Sequence, residues 1–261
     1  MIVDVNVHLS RWPFRRLPLD ETPALLAKLR ASGITSAWAG SFDALLHRDV
    51  AGVNARLTEE CRQHGDGLLI PFGTVNPILP DWREDVRRCA EEHHMPGIRL
   101  YPGFHEYRMQ DDVTRELLAL ASDSGLIVQL VVGLEDLRTQ HPLMQIPAVD
   151  LAPLESLLPQ LPQLKLVLLD AQRSARLDLL ARLVAAGEVY VDIATQEGVG
   201  GLGKLLSQLP TERVLFGSHA PFYYVESAVL KLRETDLGHN QQTAIESGNA
   251  LRLLSPAPPP S

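Results

Sequence analysis

The sequence predicts an α/β fold with one domain, a single (β/α)8 TIM barrel over residues 1–254. Three observations support this prediction: the length of the chain, its alternation of strand-like and helix-like segments, and the polar residues at the ends of the strand-like segments. The chain has 261 residues, and a barrel of this kind takes about 250. Its 45% hydrophobic and 21% charged residues are typical of a globular protein with a large core.

Eight β-branched or apolar runs recur along the chain, and an amphipathic segment follows each one. The predicted strands are Ile2–His8, Ser36–Ser41, Leu68–Val75, Gly97–Tyr101, Leu126–Val132, Leu164–Ala171, Val189–Ala194 and Val214–His219. The predicted helices are Pro23–Ala31, Val50–His64, Trp82–His93, Val113–Ser124, Leu151–Leu158, Leu177–Ala186, Gly201–Leu209 and Ser227–Arg233. This alternation indicates right-handed βαβ units and a parallel sheet. Eight such units close into a barrel more readily than they form an open doubly wound sheet, which is the alternative fold.

Composition limits the partners that we expect. The formal net charge is -8, whereas nucleic acids and anionic membranes attract clustered Lys and Arg. We therefore expect a small-molecule substrate, no nucleic acid and no membrane. No secretory signal pattern begins the chain, and no apolar run approaches the ~18 residues of a membrane span. The expected location is the cytoplasm, with Cys61 and Cys89 reduced, and residues 255–261 (SPAPPPS) are expected to form a disordered tail.

The first predicted strand carries polar residues at alternate positions, Asp4, Asn6 and His8. Side chains alternate between the two faces of a strand, so we expect these three on one face and the intervening valines on the other. Polar side chains inside a small barrel are costly unless they are hydrogen-bonded or bind a ligand. Asn6 and His8 are therefore candidate site residues. Arg11, in the next loop, is a candidate for binding an anion, unless that loop simply packs on the surface.

The fourth and fifth strands place further polar side chains inside the predicted barrel. Arg99 and Tyr101 share one face of the fourth strand, and Gln129 lies in the fifth. A buried arginine needs a carboxylate partner or an anionic ligand. Asp4 could be that partner; otherwise Arg99, Tyr101 and Gln129 are candidates for binding an anionic substrate.

Function in a (β/α)8 barrel collects at the carboxyl ends of the strands and in the loops that follow them. Asp170 ends the sixth predicted strand and His219 ends the eighth, so both are expected at this mouth. The loops add Arg138 and His141 after the fifth strand and Glu197 after the seventh. These three are candidate substrate-binding residues, and His141 or Glu197 could act as a general base.

Four segments resemble the amidohydrolase-related barrels, a family of metal-dependent hydrolases of cyclic amides and lactones that also includes decarboxylases. The segments are Asp4–His8, Gly97–Pro102 (GIRLYP), Leu215–Pro221 (LFGSHAP) and Gly248–Leu253 (GNALRL). The family has His-x-His in its first strand, Phe-Gly-Ser-Asp-x-Pro at its eighth and Asn-Ala-x-x-Leu in its closing helix. The resemblance covers nearly the whole chain and implies the barrel fold. It also implies a possible homodimer, since family members often pair through helices.

The chain departs from the family at the positions where the resemblance implies metal ligands. The first histidine of His-x-His is Asn6 here, and only the second, His8, is kept. The histidine positions of the fifth and sixth strands are Gln129 and Asp170. The family's eighth-strand aspartate is His219.

Three schemes remain open for the altered set. In the first, His8, Asp170 and His219 bind a divalent metal, most simply zinc, whose bound water hydrolyses a small, anionic amide or lactone. In the second, the enzyme is a metal-free lactonase or a decarboxylase, with His219 as the acid–base group and Asp170 orienting its imidazole. In the third, the barrel is a non-catalytic binding protein whose loops or partner cover the mouth.

Overall fold

The computed structural model describes residues 1–255 and contains eight parallel strands in the predicted order. The strands are β1 (Ile2–Leu9), β2 (Ile34–Ser41), β3 (Leu69–Pro71), β4 (Gly97–Leu100), β5 (Ile127–Val131), β6 (Leu166–Leu169), β7 (Val189–Asp192) and β8 (Val214–Leu215). Each predicted strand overlaps one of these, so the (β/α)8 prediction is confirmed. The predicted tail falls, from residue 256 onward, outside the described residues.

Helices alternate with the strands and cover the outside of the barrel. They are α1 (Thr22–Ala31), α2 (Val50–His64), α3 (Trp82–Arg87), α4 (Pro102–His105), α5 (Asp112–Asp123), α6 (Leu154–Leu157), α7 (Leu177–Ala186), α8 (Gly201–Leu206), α9 (Val225–Glu234), α10 (His239–Thr243) and α11 (Asn249–Leu254). Within residues 1–255, none of these helices combines the length and the apolar character that a membrane crossing requires. Cys61 and Cys89 are free and buried.

The strands form two sheets that meet at two seams. One sheet contains β1 to β3 and the other contains β4 to β8. Single parallel bridges join Gly73 to Ile98 at one seam and Val7 to Ala220 at the other. At the second seam the His8 backbone N–H donates to the Ala220 carbonyl at 2.9 Å. The strands therefore surround a common interior, and their carboxyl ends meet at one mouth.

Side chains of β4 to β8 alternate between an inner and an outer hydrophobic cluster, as the period of two in a strand requires. The outer cluster, between the sheet and the helices, includes Ile98, Leu130, Leu168, Val191 and Phe216. The inner cluster, inside the barrel, includes Ile127, Val131, Val167, Leu169, Tyr190 and Leu215. The same alternation turns three buried polar side chains inward: Arg99, Gln129 and Asp192.

A bulge in β1 changes which of its residues face inward. The register with β2 pairs Asp4 with Ala37 and Val7 with Ala39. Between these two pairs β1 advances by three residues and β2 by two, so β1 contains one extra residue. The extra residue shifts the inward–outward alternation of the β1 side chains by one position. Val5 accordingly packs in the inner cluster and Val7 in the outer one. The prediction that Asp4 shares a face with Asn6 and His8 is wrong, because the bulge lies between them.

Candidate active site

Asp170 and His219 form a buried pair at the mouth of the barrel. Asp170 directly follows β6, and His219 comes shortly after β8. His219 Nδ1 lies 2.9 Å from Asp170 Oδ2, and neither side chain is exposed to solvent. Both residues have a left-handed backbone with φ of 59°. This conformation costs free energy in a residue other than glycine and occurs often at functional sites.

An acceptor lies beside each nitrogen of the His219 ring. Nε2 is 2.9 Å from the carbonyl oxygen of Leu134, and only a protonated nitrogen can donate to a carbonyl. Nδ1 faces the Asp170 carboxylate. Burial acts to lower the pKa of His219, but the Asp170 carboxylate and the Leu134 carbonyl outweigh it, so the pKa is raised above its ordinary value. The site therefore favours the imidazolium, which is a proton donor.

Asn6 joins this pair to a second buried carboxyl group, that of Asp192 in β7. Asn6 Nδ2 donates to Asp170 Oδ1 at 3.0 Å and to Asp192 Oδ2 at 2.8 Å. The Asp170 backbone N–H donates to Asp192 Oδ1 at 3.0 Å. Burial and the nearby Asp170 charge raise the pKa of Asp192 to about 7. Sequence reasoning did not select Asp192 as a site residue, although its inward position in β7 was the available signal.

His8 lies beside the pair without a polar contact to it. Its ring stacks on Phe42 with 4.7 Å between centroids and lies 5.8 Å from the His219 ring. Neither ring nitrogen has a hydrogen-bond partner among residues 1–255. Burial, with the charges of Arg99 and His219, lowers the pKa of His8 well below its ordinary value, so the ring is neutral. A catalytic role for His8 stays a prediction.

Arg99 crosses the interior and is fully engaged by the protein. Its Nε donates to Gln129 Oε1 at 2.7 Å and its Nη1 to the Val7 carbonyl at 2.7 Å. Its Nη2 donates to the carbonyls of Val5 and Trp38 at 3.2 and 3.0 Å. Gln129 Nε2 donates to the Val5 carbonyl at 2.7 Å. These bonds give Arg99 and Gln129 a bracing role inside the barrel, and substrate binding by these two residues stays a prediction.

Two neighbours show how closely the Arg99 side chain is fitted. A Cβ at Gly40 would lie 2.8 Å from Arg99 Cδ, so the absence of a side chain there makes room for Arg99. Asp4, the carboxylate that could have paired with Arg99, instead accepts a hydrogen bond from the Ser218 backbone N–H at 2.9 Å. The bulge in β1 accounts for this difference, since it turns Asp4 away from the interior.

Tyr101 is the other inward side chain from this part of the barrel. Its ring is buried, and its centroid lies 6.2 Å from that of His8. Its hydroxyl has no hydrogen-bond partner in the part of the chain that the structure describes. Burial raises the pKa of Tyr101 to about 12, so the hydroxyl keeps its proton. Tyr101 thus stays a substrate-binding candidate, with its hydroxyl close to the Arg99 guanidinium.

The four candidates on the mouth loops lie on the surface and do not approach the Asp170–His219 pair. Their contacts are Arg11 with Glu21 at 2.8 Å, Arg138 with Asp136 at 2.6 Å, Glu197 with Arg173 at 2.5 Å, and His141 Nδ1 with the Leu143 N–H at 3.2 Å. Exposed ion pairs of this kind are weak and exchange readily. Substrate binding by these loop residues stays a prediction.

The loop that follows β5 closes the mouth above the pair. Its Leu134 carbonyl occupies His219 Nε2, and its Glu135 pairs with Arg15 from the loop after β1. Trp12 fills the centre at 4% exposure, packed against the rings of Phe14, Phe42, Phe104 and Phe222. Two spaces along this side hold only about 10 Å³ each, which is room for about one water molecule.

The predicted metal ligands His8, Asp170 and His219 are not grouped around one point, although both His8 ring nitrogens, His219 Nδ1 and Asp170 Oδ2 have no hydrogen-bond partner within residues 1–255. His219 Nε2 faces the Leu134 carbonyl, His219 Nδ1 forms an ion pair with Asp170 Oδ2 at 2.9 Å, and Asn6 donates to Asp170 Oδ1. Within residues 1–255, no three His, Cys, Asp or Glu side chains are grouped so that they could hold a metal ion. A catalytic zinc needs three protein ligands around one point. The arrangement of the described residues therefore does not fit the expected zinc site, because three ligands are not grouped around one point.

The fold and the mouth define a (β/α)8 barrel with a carboxylate–imidazole pair where such barrels carry their active sites. The family model described as Amidohydrolase matches residues 3–255. The chain therefore belongs to the amidohydrolase family. A search of curated protein sequences finds no match.

Solved structures share this fold at low sequence identity. The 5-carboxyvanillate decarboxylase of Sphingomonas paucimobilis is 12% identical with a TM-score of 0.77, over 97% of this chain and 98% of that one. The 2,6-dihydroxybenzoate decarboxylase from Rhizobium is 13% identical with a TM-score of 0.74, over 97% and 98%. A dihydroxybenzoic acid decarboxylase from a Polaromonas species, solved with bound manganese and 2-nitroresorcinol, is 13% identical with a TM-score of 0.73, over 97% and 96%.

Proposed function

We propose that this protein is a metal-independent decarboxylase of small, planar carboxylic acids. The observation that carries the proposal is the 2.9 Å separation of His219 Nδ1 and Asp170 Oδ2 at the barrel mouth. In this role His219 is the proton donor and Asp170 keeps it protonated. Decarboxylases among the structures of the same fold support lyase chemistry over hydrolysis.

Decarboxylation replaces a carboxylate by a proton, and the His219 imidazolium can supply that proton. His219 gives the proton on Nε2 to the carbon that carries the carboxylate. The bond between that carbon and the carboxylate then breaks, its electron pair returns to the ring of the substrate, and CO2 leaves. Water returns a proton to His219. General acid catalysis of this type contributes about 10²–10⁴-fold in rate.

The residues around His219 support a flat, apolar substrate. The rings of Phe222 and His219 stack with 4.9 Å between their centroids. His8 and Phe42 form a second stack beside them. Aromatic rings pack favourably against such faces, and Tyr101 carries a buried hydroxyl for a polar substituent of the substrate.

The reaction requires the loop after β5 to move. The Leu134 carbonyl occupies the nitrogen that must deliver the proton. Loops of this kind open and close in many enzymes to admit substrate and then exclude water. Release of Leu134 is therefore a step in the proposed cycle.

The proposal is tested by turnover of 2,6-dihydroxybenzoate and 5-carboxyvanillate in D2O. We expect release of CO2, deuterium at the carbon that loses it, and unchanged rates with a metal chelator. His219→Asn and Asp170→Asn should each lose at least about 100-fold in rate. His64→Asn is the matched control, since His64 is exposed at the end of α2.

Three results would overturn the proposal. Absence of CO2 release from both acids would rule out the proposed decarboxylation. Full activity in His219→Asn would rule out His219 as the proton donor. Activity that a chelator abolishes and zinc or manganese restores would support the metal-assisted scheme instead, with His8, Asp170 and His219 rearranged around an ion.

A non-catalytic binding barrel is the second candidate, and the closed mouth is the observation that favours it. It predicts that variants with a loosened β5 loop also turn over neither acid. Activity in wild type or in such a variant would exclude it.

A further inference from the structure

A large cavity lies beside the closed mouth. It is a groove of about 920 Å³ between the loops after β6, β7 and β8 and helix α9. Ligand sites usually have about 300–1,000 Å³. A second hollow, of about 350 Å³, lies between the loops after β4 and β5, and none of the residues that line it belongs to the Asp170–His219 pair or packs on its rings. The larger groove is therefore the cavity that adjoins the pair.

Tyr223 connects this groove to the active-site pair. Its ring lines the groove, and its centroid lies 5.1 Å from that of His219, edge to face. The Arg173 guanidinium lies 5.8 Å from the centre of the same ring. One aromatic side chain thus contacts the proposed proton donor and a cation of the groove.

Two cations of the groove retain the ability to bind an anion. Arg173 is 31% exposed, and its partner Glu197 is 68% exposed, so the ion pair between them contributes little and can be exchanged. Lys231 Nζ donates to the carbonyls of Ile193 and Ala194. An ammonium group has three donors, which leaves one for a ligand.

The other charged side chains of the groove do not occupy the position between Arg173 and Lys231 where an anion is expected. Lys28 and Glu226 form a close ion pair with each other across the groove wall. Glu234 also lines the groove and has no ion-pair partner within residues 1–255. An anion is therefore expected at Arg173 and Lys231, and an amine substituent would be accommodated near Glu234.

We propose that this groove is the docking site for the carboxylate of a small aromatic acid before it reaches His219. The carboxylate takes the place of Glu197 on Arg173 and accepts from Lys231, while the aromatic ring packs on Tyr223. A guanidinium binds a carboxylate through two parallel hydrogen bonds, which gives orientation as well as affinity. The substrate assignment rests on the decarboxylase proposed above, but the binding site does not depend on turnover.

The test is equilibrium binding of benzoate and 2,6-dihydroxybenzoate to the full chain, by calorimetry and by NMR of arginine Nε–H groups. We expect saturable binding with a shift of the Arg173 signal. Arg173→Met should weaken binding at least tenfold, and Tyr223→Ala should also weaken it, whereas Tyr223→Phe should retain it. Arg176→Met is the matched control, since Arg176 is 85% exposed and pairs with Asp178 outside the groove. Benzamide, which lacks the charge, should not compete.

The outcomes separate this site from the proposed function. Binding that is lost in Arg173→Met, without turnover in wild type, would support the groove and remove the decarboxylase. Turnover with an unchanged KM in Arg173→Met would support the decarboxylase and overturn the groove. Absence of saturable binding to wild type, or an equal Kd in Arg173→Met, would also overturn the groove.

Discussion

The two sides of the barrel mouth differ in packing and in charge. On the side of the loops after β4 and β5, Trp12 and its aromatic neighbours fill the space next to His219, Gly103 lets the two loops meet, and the hollow of about 350 Å³ between these loops does not reach the pair. On the side of the loops after β6 to β8, a groove of about 920 Å³ is lined by Arg173, Lys231 and Tyr223. His219 lies between these sides, with Nε2 facing the closed side and Tyr223 at its edge on the open side.

This difference indicates a division of roles within one site. Tight apolar packing and buried hydrogen bonds contribute strongly to stability, whereas exposed ion pairs contribute little. The closed side and the interior below it should therefore determine stability. The open side should determine ligand binding, and changes there should leave the fold intact.

The largest expected effect is loss of stability in Arg99→Met. The substitution removes a buried cation and leaves Gln129 Oε1 and the carbonyls of Val7 and Trp38 without their donor. Breaking a buried charged network costs about 3–5 kcal/mol in the free energy of unfolding. Urea denaturation measures it, with the exposed Arg83→Met as control. A loss below about 1 kcal/mol would show that Arg99 does not brace the interior.

Asp170→Asn should lower the pKa of His219 and change how stability depends on pH. The folded-state pKa of His219 is raised, so protonated His219 stabilises the fold below its unfolded pKa of about 6.5, and this contribution is lost as pH rises through the folded pKa. The variant should lose about 1.5–3 kcal/mol at pH 6 and less at pH 9.

Imidazole NMR titration and urea denaturation at both pH values measure these two effects. Asp178→Asn is the control, because Asp178 is an exposed carboxylate paired with arginines. An unchanged His219 pKa in Asp170→Asn would show that the pair does not hold the proton.

Gly103→Ala should loosen the packing of the closed side and lower stability by less than Arg99→Met or Asp170→Asn. A Cβ at Gly103 would lie 2.6 Å from Ile146 Cγ2 in the loop after β5. We expect a loss of about 1 kcal/mol from this overpacking and stronger acrylamide quenching of the tryptophan fluorescence, to which Trp12 at the mouth contributes. The double variant Gly103→Ala, Ile146→Ala should restore the protection. Equal quenching in all three proteins would mean that this contact does not keep the mouth closed.

Arg173→Met should have the smallest effect on stability, within about 0.5 kcal/mol of wild type. Its only ion pair, among the described residues, is with the exposed Glu197. Urea denaturation compares it directly with Arg99→Met. A loss above about 2 kcal/mol would remove the distinction between the two sides.

The sequence by itself determined the fold and, apart from Asp4, the inner or mouth positions of the polar side chains that it singled out. Strand and helix periodicities are local properties, so eight alternations predicted the barrel and placed Arg99, Gln129 and Asp170 correctly at inward or mouth positions. The strand-end positions of His8 and His219 followed in the same way. Resemblance to the amidohydrolases, carried by short motifs, is confirmed by the family match over residues 3–255.

Only the tertiary structure decided which of these groups bond to one another. The bulge in β1 turned Asp4 outward, because bulges arise from pairing with β2 and leave no mark in the alternation of residues. Arg99 donates to Gln129 and to backbone carbonyls, and Asp170 pairs with His219. These partners are distant in sequence and meet only because the barrel brings their strands together. The closed mouth and the open groove depend on loop conformations that side-chain periodicity does not encode. The sequence thus predicted several of the polar residues that reach the interior and the mouth, without Asp192, and long-range contacts determined which groups each one bonds to.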